Sequence, residues 1–335
     1  GFFSKFSPNG DRIYGSYFRG EIDYTSVDSN NDIYFSGQYY ESPEYTNITT
    51  LNAHQTQCYM RDIFVVKFNS NFNLEWCTYY GGNEYTSSFG NSDRVTGIGT
   101  DNSNNIYLIG TTSSNNNIAT PGSFKESQAV GSVDAFIVKF NSFGVRQWGT
   151  YFGGNNTMFH ETCESASISS EGNIFIAGNS RNYIELLSTA NSFQPIPRGS
   201  DECFFAKFNS TGNLIWSSYY GTPSQDYIGN IHFNNNFIYL IGYSTGIASN
   251  GNDLGTPGTH MPNGSGLFLA KFQDCLSSPQ ASALNPCIGN NLELTASGGT
   301  NYSWTGPNGF TSTEQNPIIP NANTSHSGQY SCAIT

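Results

Sequence analysis

The stretch DAFIVKFNSFGVRQWGTYFGG (134–154) decides the fold: a β-branched and aromatic run, a tight polar turn, and a second run returning to a Gly-Gly pair. Its first phrase recurs as FFSKF (2–6), DIFVVKF (62–68), ECFFAKF (202–208) and GLFLAKF (266–272). The closing residues Phe6, Phe68, Phe140, Phe208 and Phe272 are 62, 72, 68 and 64 apart, so the chain is an internal repeat with a long loop in every unit. Short runs bounded by Asn, Gly and Ser exclude a helical solenoid.

Each unit holds four strand-like runs. In one unit these are VTGIGT (95–100), NIYLIG (105–110), DAFIVKF (134–140) and VRQWGTYFGG (145–154), here called a, b, c and d. The a–b and c–d links are short polar turns suited to hairpins. The b–c links (about 38–61, 111–133, 179–201 and 243–265) and the d–a links are long. Because strands reverse at each step, the short turns share one side and the long loops the other, so an elaborated face is expected opposite a plain one. Four antiparallel strands in a meander make a propeller blade. The strands run c–d, three full sets of a–d, then a–b–c, which predicts a β-propeller fragment open at both ends, with further blades upstream of Gly1.

These phrases, with SISSEGNIFIAG (167–178) and the loop motifs TPGSF (120–124) and NSFQP (191–195), resemble the SBBP β-propeller repeat of bacterial secreted proteins. Two departures are visible: the turns are Asn-rich where the family's are Gly-rich, and Arg19 stands where a second Gly is expected. The resemblance implies a scaffold and no particular reaction.

Beyond the propeller repeats (1–273) and a Ser- and Pro-containing linker (274–285), residues 286–335 resemble an immunoglobulin-like domain lacking its last strand. The resemblance rests on Cys287, Trp304, and Tyr330 two residues before Cys332. Cys287 lies ahead of its strand instead of within it. The pattern implies a Cys287–Cys332 disulfide. Nearness within a repeat suggests Cys163–Cys203 and Cys58–Cys77, leaving Cys275 as the odd residue. The fold class expected is therefore all-β: four-stranded propeller blades followed by a partial immunoglobulin-like sandwich.

Composition narrows the function. Only 11% of residues are charged against 15% aromatic, and the net charge of -12 with no basic cluster excludes a phosphate-binding surface and hence nucleic acid. No apolar run is long enough to span a bilayer. Cysteines without CxxC or Cys/His zinc spacing favour disulfides outside the cytoplasm, which places the chain in the extracellular space or at the cell surface. Proteins of similar architecture in Bacteroidota carry a type IX sorting domain, so the secretion machinery is an expected partner by analogy.

No catalytic constellation can be singled out, and neither a metal nor a cofactor is expected. Lysines 5, 67, 139, 207 and 271 share one repeat position, as do Trp76, Trp148 and Trp216, and both sets read as scaffold. The non-repeating d–a loops remain. They place Glu84, Tyr85, Phe89 and Arg94 in one loop, Phe159, His160 and Glu161 in the next, and Asp226 and Tyr227 in a third. Rings beside hydrogen-bonding groups suit a glycan or peptide. The expected function is a non-catalytic binding or adhesion protein that presents its loop-rich face to a glycan or protein ligand. A glycan-active hydrolase or lyase, and a passive spacer or type IX secretion cargo, are the alternatives.

Overall fold

The computed structural model describes residues 1–40, 47–83, 93–128, 132–154, 160–181, 187–246, 254, 265–274, 280–283, 289–297 and 301–334. The chain divides into two compact units, Gly1–Asn234 with Tyr239–Lys271, and Asn235–Ile238 with Phe272–Thr335. Both are all-β.

The first unit opens with an antiparallel pair, β1 (Phe2–Phe6) and β2 (Arg12–Tyr17). Three four-stranded antiparallel sheets follow in chain order. The first is β3 (Glu21–Val27), β4 (Ile33–Tyr40), β5 (Arg61–Phe68) and β6 (Leu74–Tyr80); the second is β7 (Asp93–Thr100), β8 (Ile106–Thr112), β9 (Asp134–Phe140) and β10 (Arg146–Phe152). The third is β11 (Glu161–Ile168), β12 (Ile174–Ser180), β13 (Glu202–Phe208) and β14 (Leu214–Tyr220). A three-stranded sheet, β15 (Asp226–Asn234), β16 (Phe237–Ser244) and β17 (Gly266–Gln273), ends the series. The strand order of two, four, four, four and three is the one the sequence predicts.

Turn chemistry fixes the hairpins. Asp28 and Asp101 each use Oδ1 to accept the backbone N–H groups two and four residues on, and Asn69, Asn141 and Asn209 do the same at the c–d turns. Asn31 and Asn104 adopt positive φ beside these caps, so asparagine supplies what glycine supplies elsewhere.

The first strand of each four-stranded sheet carries a bulge at one position, skipping Asp23, Thr96 and Glu164 in the pairing with the second strand. The bulge pushes a carbonyl of the first strand, that of Glu21, Arg94 or Thr162, against Gly37, Gly110 or Gly178, where any Cβ would collide with it. The glycine near the end of the second strand in each four-stranded sheet therefore answers to a bulge on its neighbour.

The middle strands are apolar on both faces because both faces are covered. β5, β9 and β13 are buried almost throughout. Successive sheets stack so that β3 lies beside β7, β7 beside β11, and β11 beside β15. A phenylalanine of each third strand packs on an aromatic ring at the end of the preceding sheet: Phe64 on Phe18, Phe136 on Tyr80, Phe204 on Phe152 and Phe268 on Tyr220, at 5.1–5.5 Å. The repeated lysines stretch over second-strand rings, Lys67 over Tyr34 and Lys139 over Tyr107, with Lys67 held by Asp32 at 2.8 Å. Trp76 and Trp148 donate Nε1 to the carbonyls of Ser142 and Ser210 in the next sheet's turn. Both repeated positions join neighbouring elements of the scaffold.

The long b–c loops are not wholly given to one face. In each sheet a Thr pairs with the fourth strand: Thr50 N–H donates to Cys77 O, Thr120 to Gly149 O, and Thr189 to Ser217 O. Five residues on, Gln55, Lys125 and Gln194 accept from Tyr79, Tyr151 and Tyr219. The loops thus cover the outer sheet edge, which would otherwise expose a row of backbone groups.

Among the described residues no disulfide forms. Cys77, Cys163 and Cys203 are buried free thiols, and Cys332 is a half-buried one. Cys163 lies opposite Gly178 and Cys203 opposite Asn179, so strand β12 separates them. Strands two places apart are roughly 9.5 Å from each other, beyond the ~7 Å that a bridge tolerates. The Cys58 thiol donates to Tyr39 O, opposite Asp62, whereas Cys77 lies opposite Val66, four residues along β5 and about 13 Å away at the usual strand rise. Cys275 and Cys287 lie outside the described residues, and Cys332 forms no bridge. The buried thiols pack as small apolar groups.

The second unit has two three-stranded sheets. One is β18 (Gln280–Ala283), β19 (Leu292–Ser297) and β22 (Ile318–Ile319); the other is β21 (Thr311–Ser312), β20 (Tyr302–Thr305) and β23 (Ser331–Ile334). Leu292, Leu294, Trp304 and Ile319 share one core, and Trp304 sits opposite Cys332. Tyr330 Oη donates to His326 O at 3.0 Å, tying β23 to the chain before it.

Candidate functional site

Where β2 passes into β3, the corner residues Phe18, Arg19 and Glu21 face Gln38 and Tyr40 at the end of β4, with Phe2 beside them. Together they border an open groove of about 620 Å³. The groove lies at a d–a corner and the start of a b–c loop, the side the sequence analysis singles out, but it is built from other residues. Arg61 lays its guanidinium over the Tyr40 ring at 4.8 Å and donates Nη2 to Gln38 Oε1. Gln38 Nε2 donates to Asp93 O at 3.3 Å. The β3 bulge carries Asp23 at its tip. Burial raises its pKa and Glu21 raises it further, while Arg61 and Arg94 pull it down. Arg94, the second residue of β7, pairs with Glu164 at 3.2 Å across neighbouring first strands. The arrangement offers aromatic edges beside the guanidinium groups of Arg19 and Arg61 and the carboxylates of Glu21 and Asp23, a set that packs on a ring face and hydrogen-bonds its substituents.

Of the residues expected to bind ligand, Glu84, Tyr85, Phe89 and Phe159 lie outside the described residues. Arg94 is half exposed, near the groove. Tyr227 is half-buried as the second residue of β15. His160 bridges to Val133, with Nδ1 buried and without a hydrogen-bond partner among the described residues. Glu161 and Asp226 are not loop residues. They open β11 and β15 and are fully buried.

With Asp93 at the start of β7, Glu161 and Asp226 form a repeated set that meets a second set at the starts of the third strands, Asp62, Asp134 and Glu202. The glycines after strand d lie between the two. A Cβ at Gly81 would run into both Asp62 and Asp93, and one at Gly221 into both Glu202 and Asp226, while Gly154 N–H donates to Glu161 Oε2 at 3.2 Å. Burial pushes Asp93 up to about 6 despite hydrogen bonds from Thr112, Ser114 and Gly82. Burial likewise raises Asp134, Glu202 and Asp226, against Lys125 at the first, and with Asp226 adding to the rise at Glu202. The edge-covering loops close on these acids: Gln55 Nε2 on Asp62 at 2.7 Å, Lys125 Nζ on Asp134 at 2.8 Å, and Gln194 Nε2 on Glu202 at 2.7 Å. Sequence reasoning missed this loop position, although the spacing of five from Thr50, Thr120 and Thr189 recurs in the text.

These acids hold corners of the scaffold and are sealed from solvent, whereas the groove, among the described residues, is open. Among the described residues no group of three or more His, Cys, Asp or Glu is placed to hold a metal ion, and no helix is long and apolar enough to cross a membrane.

No protein-family model and no curated protein matches the chain. Among solved structures, a fungal alcohol oxidase of the AA5 family, in complex with copper, aligns over 90% of this chain and 89% of its own, at 11% identity and a TM-score of 0.16. A likeness at that score assigns neither fold nor activity.

Proposed function

We propose that the first unit is a β-propeller fragment of the SBBP type, the second an immunoglobulin-like domain, and the whole a non-catalytic binding protein that works outside the cell. The first strands run side by side from sheet to sheet, as strands around a propeller axis do. Tyr330, two residues before Cys332 and bonded back to His326 O, matches the tyrosine corner of immunoglobulin-like domains. With no disulfide among the described residues, location outside the cell rests on the repeat resemblance alone.

The observation that carries the binding reading is the groove with Arg19, Glu21, Gln38 and the Arg61–Tyr40 stack. Its ligand is a glycan or a protein segment with a flat face and hydrogen-bonding substituents. A glycan and peptide array, run beside a turnover assay on the same polymers, tests this. Arg19→Ala and Tyr40→Ala should each weaken binding at least tenfold while the melting temperature stays within about 2 °C. Turnover of a bound polymer, or binding indifferent to both changes, defeats the proposal.

A further inference from the structure

The loops that cover the outer edges of the three four-stranded sheets are built alike but for one side chain. Thr50, Thr120 and Thr189 bond to the fourth strand, and five residues on the N–H groups of Gln55, Lys125 and Gln194 donate to its hydroxyls, Thr78, Thr150 and Ser218, each at 2.9 Å. The residue just before is a ring in all three: His54, Phe124 and Phe193. Each ring packs on the last residue of its own fourth strand, Tyr80, Phe152 and Tyr220, at 6.0, 6.3 and 5.9 Å. His54 and Phe124 also meet, edge-on at 5.7 Å, the phenylalanine that closes the third strand of the next sheet, Phe140 and Phe208. The ring is a wedge at the seam between sheets, and in the first sheet the wedge is an imidazole.

An imidazole differs from a phenyl ring in being able to take up a proton. His54 Nε2 is buried and has no hydrogen-bond partner among the described residues. Tyr80 of β6 and Phe140 of β9 pack on the ring, and β10 brings the Arg146 guanidinium within electrostatic reach. None of these is an anion. Burial, and after it Arg146, lower the pKa of His54 from 6.5 to about 4. Tyr80 stays a neutral phenol because burial raises its pKa, and Arg146 stays charged, so His54 is the group in this contact whose charge changes between pH 4 and pH 8. The neutral ring fits the seam. A protonated ring would put a second cation beside Arg146 and a buried N–H donor where no acceptor waits.

We infer that His54 makes the cover of the first sheet releasable by acid: the neutral ring holds residues 50–55 against β6, and the protonated ring leaves the seam and takes the segment with it. What opens is the outer edge of β6, where Thr50 N–H holds Cys77 O and Gln55 O holds Tyr79 N–H. The covers wedged by Phe124 and Phe193 have no such response. Because the pKa in the seam lies below that of the released ring, the hold is complete above 6.5 and is lost as pH falls toward 4. With these two values the open fraction rises about 30-fold between pH 7.5 and pH 5. The inference does not depend on the binding function proposed for the groove.

Hydrogen exchange of the full chain, read by peptide mass at pH 7.5 and pH 5 and corrected for the intrinsic pH dependence of amide exchange, tests this. The bonded amides of Thr50, Ala53 and Gln55 should lose protection about 30-fold on acidification, while those of 120–125 and 189–194 change by less than about threefold. An acid lies behind each of the three segments, Asp62, Asp134 and Glu202, so comparing the segments separates His54 from them. His54→Phe installs the ring that the other covers use, and His54→Gln keeps a polar side chain that does not titrate. Both variants should hold residues 50–55 equally at the two pH values. An equal change in all three segments of the unaltered chain overturns the inference, and that comparison stands even where a variant fails to fold. A response of 50–55 that persists in a folded variant overturns it as well, since the proton would then be taken up elsewhere.

Discussion

Asp93→Asn isolates one buried carboxylate whose effect on stability runs opposite to ordinary acid denaturation. Asp93 is fully buried at the start of β7, accepting from Thr112 Oγ1, from Ser114 Oγ at 3.0 Å and from Gly82 N–H at 3.2 Å. No cation is among these partners, so burial dominates and lifts the group from 3.8 to about 6. A folded pKa above the unfolded one means that the folded state holds more protons between the two values. The stabilisation is complete below the unfolded value and is lost as pH rises through 6. With these two values, lowering the pH from 7 to 5 stabilises the fold by about 1.4 kcal/mol through this residue, and by about 3 kcal/mol at still lower pH. Asparagine does not titrate, and its own cost, from turning an amide toward a donor, is independent of pH. Urea unfolding at pH 7 and pH 5, followed by the tryptophans of the first unit, should show the parent protein gaining about 1.4 kcal/mol more than the variant on acidification. Equal gains in the two proteins would refute the argument that Asp93 is uncompensated in the interior.

At the neighbouring corner, Lys125→Met should cost about 3–5 kcal/mol because Asp134 is left buried beside no cation. Lys125→Gln should cost no more than about 1 kcal/mol, since it installs the amide that Gln55 and Gln194 already use on Asp62 and Glu202; thermal melts of the two variants decide it. Trp148→Ala removes a ring on Tyr107 and a bond to Ser210 O and should cost about 3 kcal/mol. Gly212→Ala, at φ 84° with its new Cβ 2.9 Å from the Trp148 ring, should cost about 2 kcal/mol, and the double variant less than the sum, read by urea titration. Alkylation followed by peptide mass mapping should label half-buried Cys332 ahead of Cys77 and Cys163, whose thiols burial pushes up to about 12.

The strands were legible because their signals are local. The sequence places strands at 95–100, 105–110, 134–140 and 145–154, and the structure has Asp93–Thr100, Ile106–Thr112, Asp134–Phe140 and Arg146–Phe152. Alternate runs of β-branched and aromatic residues, closed by Asp or Asn turns whose side chains cap their own backbone, need no distant partner to be recognised. Glu161 and Asp226 were misplaced in loops for the converse reason. An acid ahead of a strand looks solvated unless it is known that a glycine pair and a loop folded back along the sheet edge will close over it. The Cys163–Cys203 pairing failed on topology: the two belong to one repeat unit, but β12 runs between them. The glycine near the end of each second strand was visible as a repeated letter. Its reason, a bulge on the neighbouring strand, was not.

That bulge separates scaffold from site. Gly37, Gly110 and Gly178 keep one residue type because a carbonyl occupies the place of a side chain, so chemistry there is fixed by geometry. The residues left out of the pairing opposite them, Asp23, Thr96 and Glu164, share that geometry without sharing a residue type. A bulge frees its residue from the alternation that otherwise commits each strand position to one face, so the backbone holds these positions still while tolerating exchange of the side chain. Two of the three carry acids, and both lie by Arg94, Glu164 in an ion pair with it and Asp23 within its electrostatic reach. Charge at this end of the first strands is therefore set by bulge positions that the scaffold does not constrain, whereas the acids at the strand starts are each committed to a corner. Under the binding function proposed for the adjoining groove, selectivity follows from the first set; stability follows from the second.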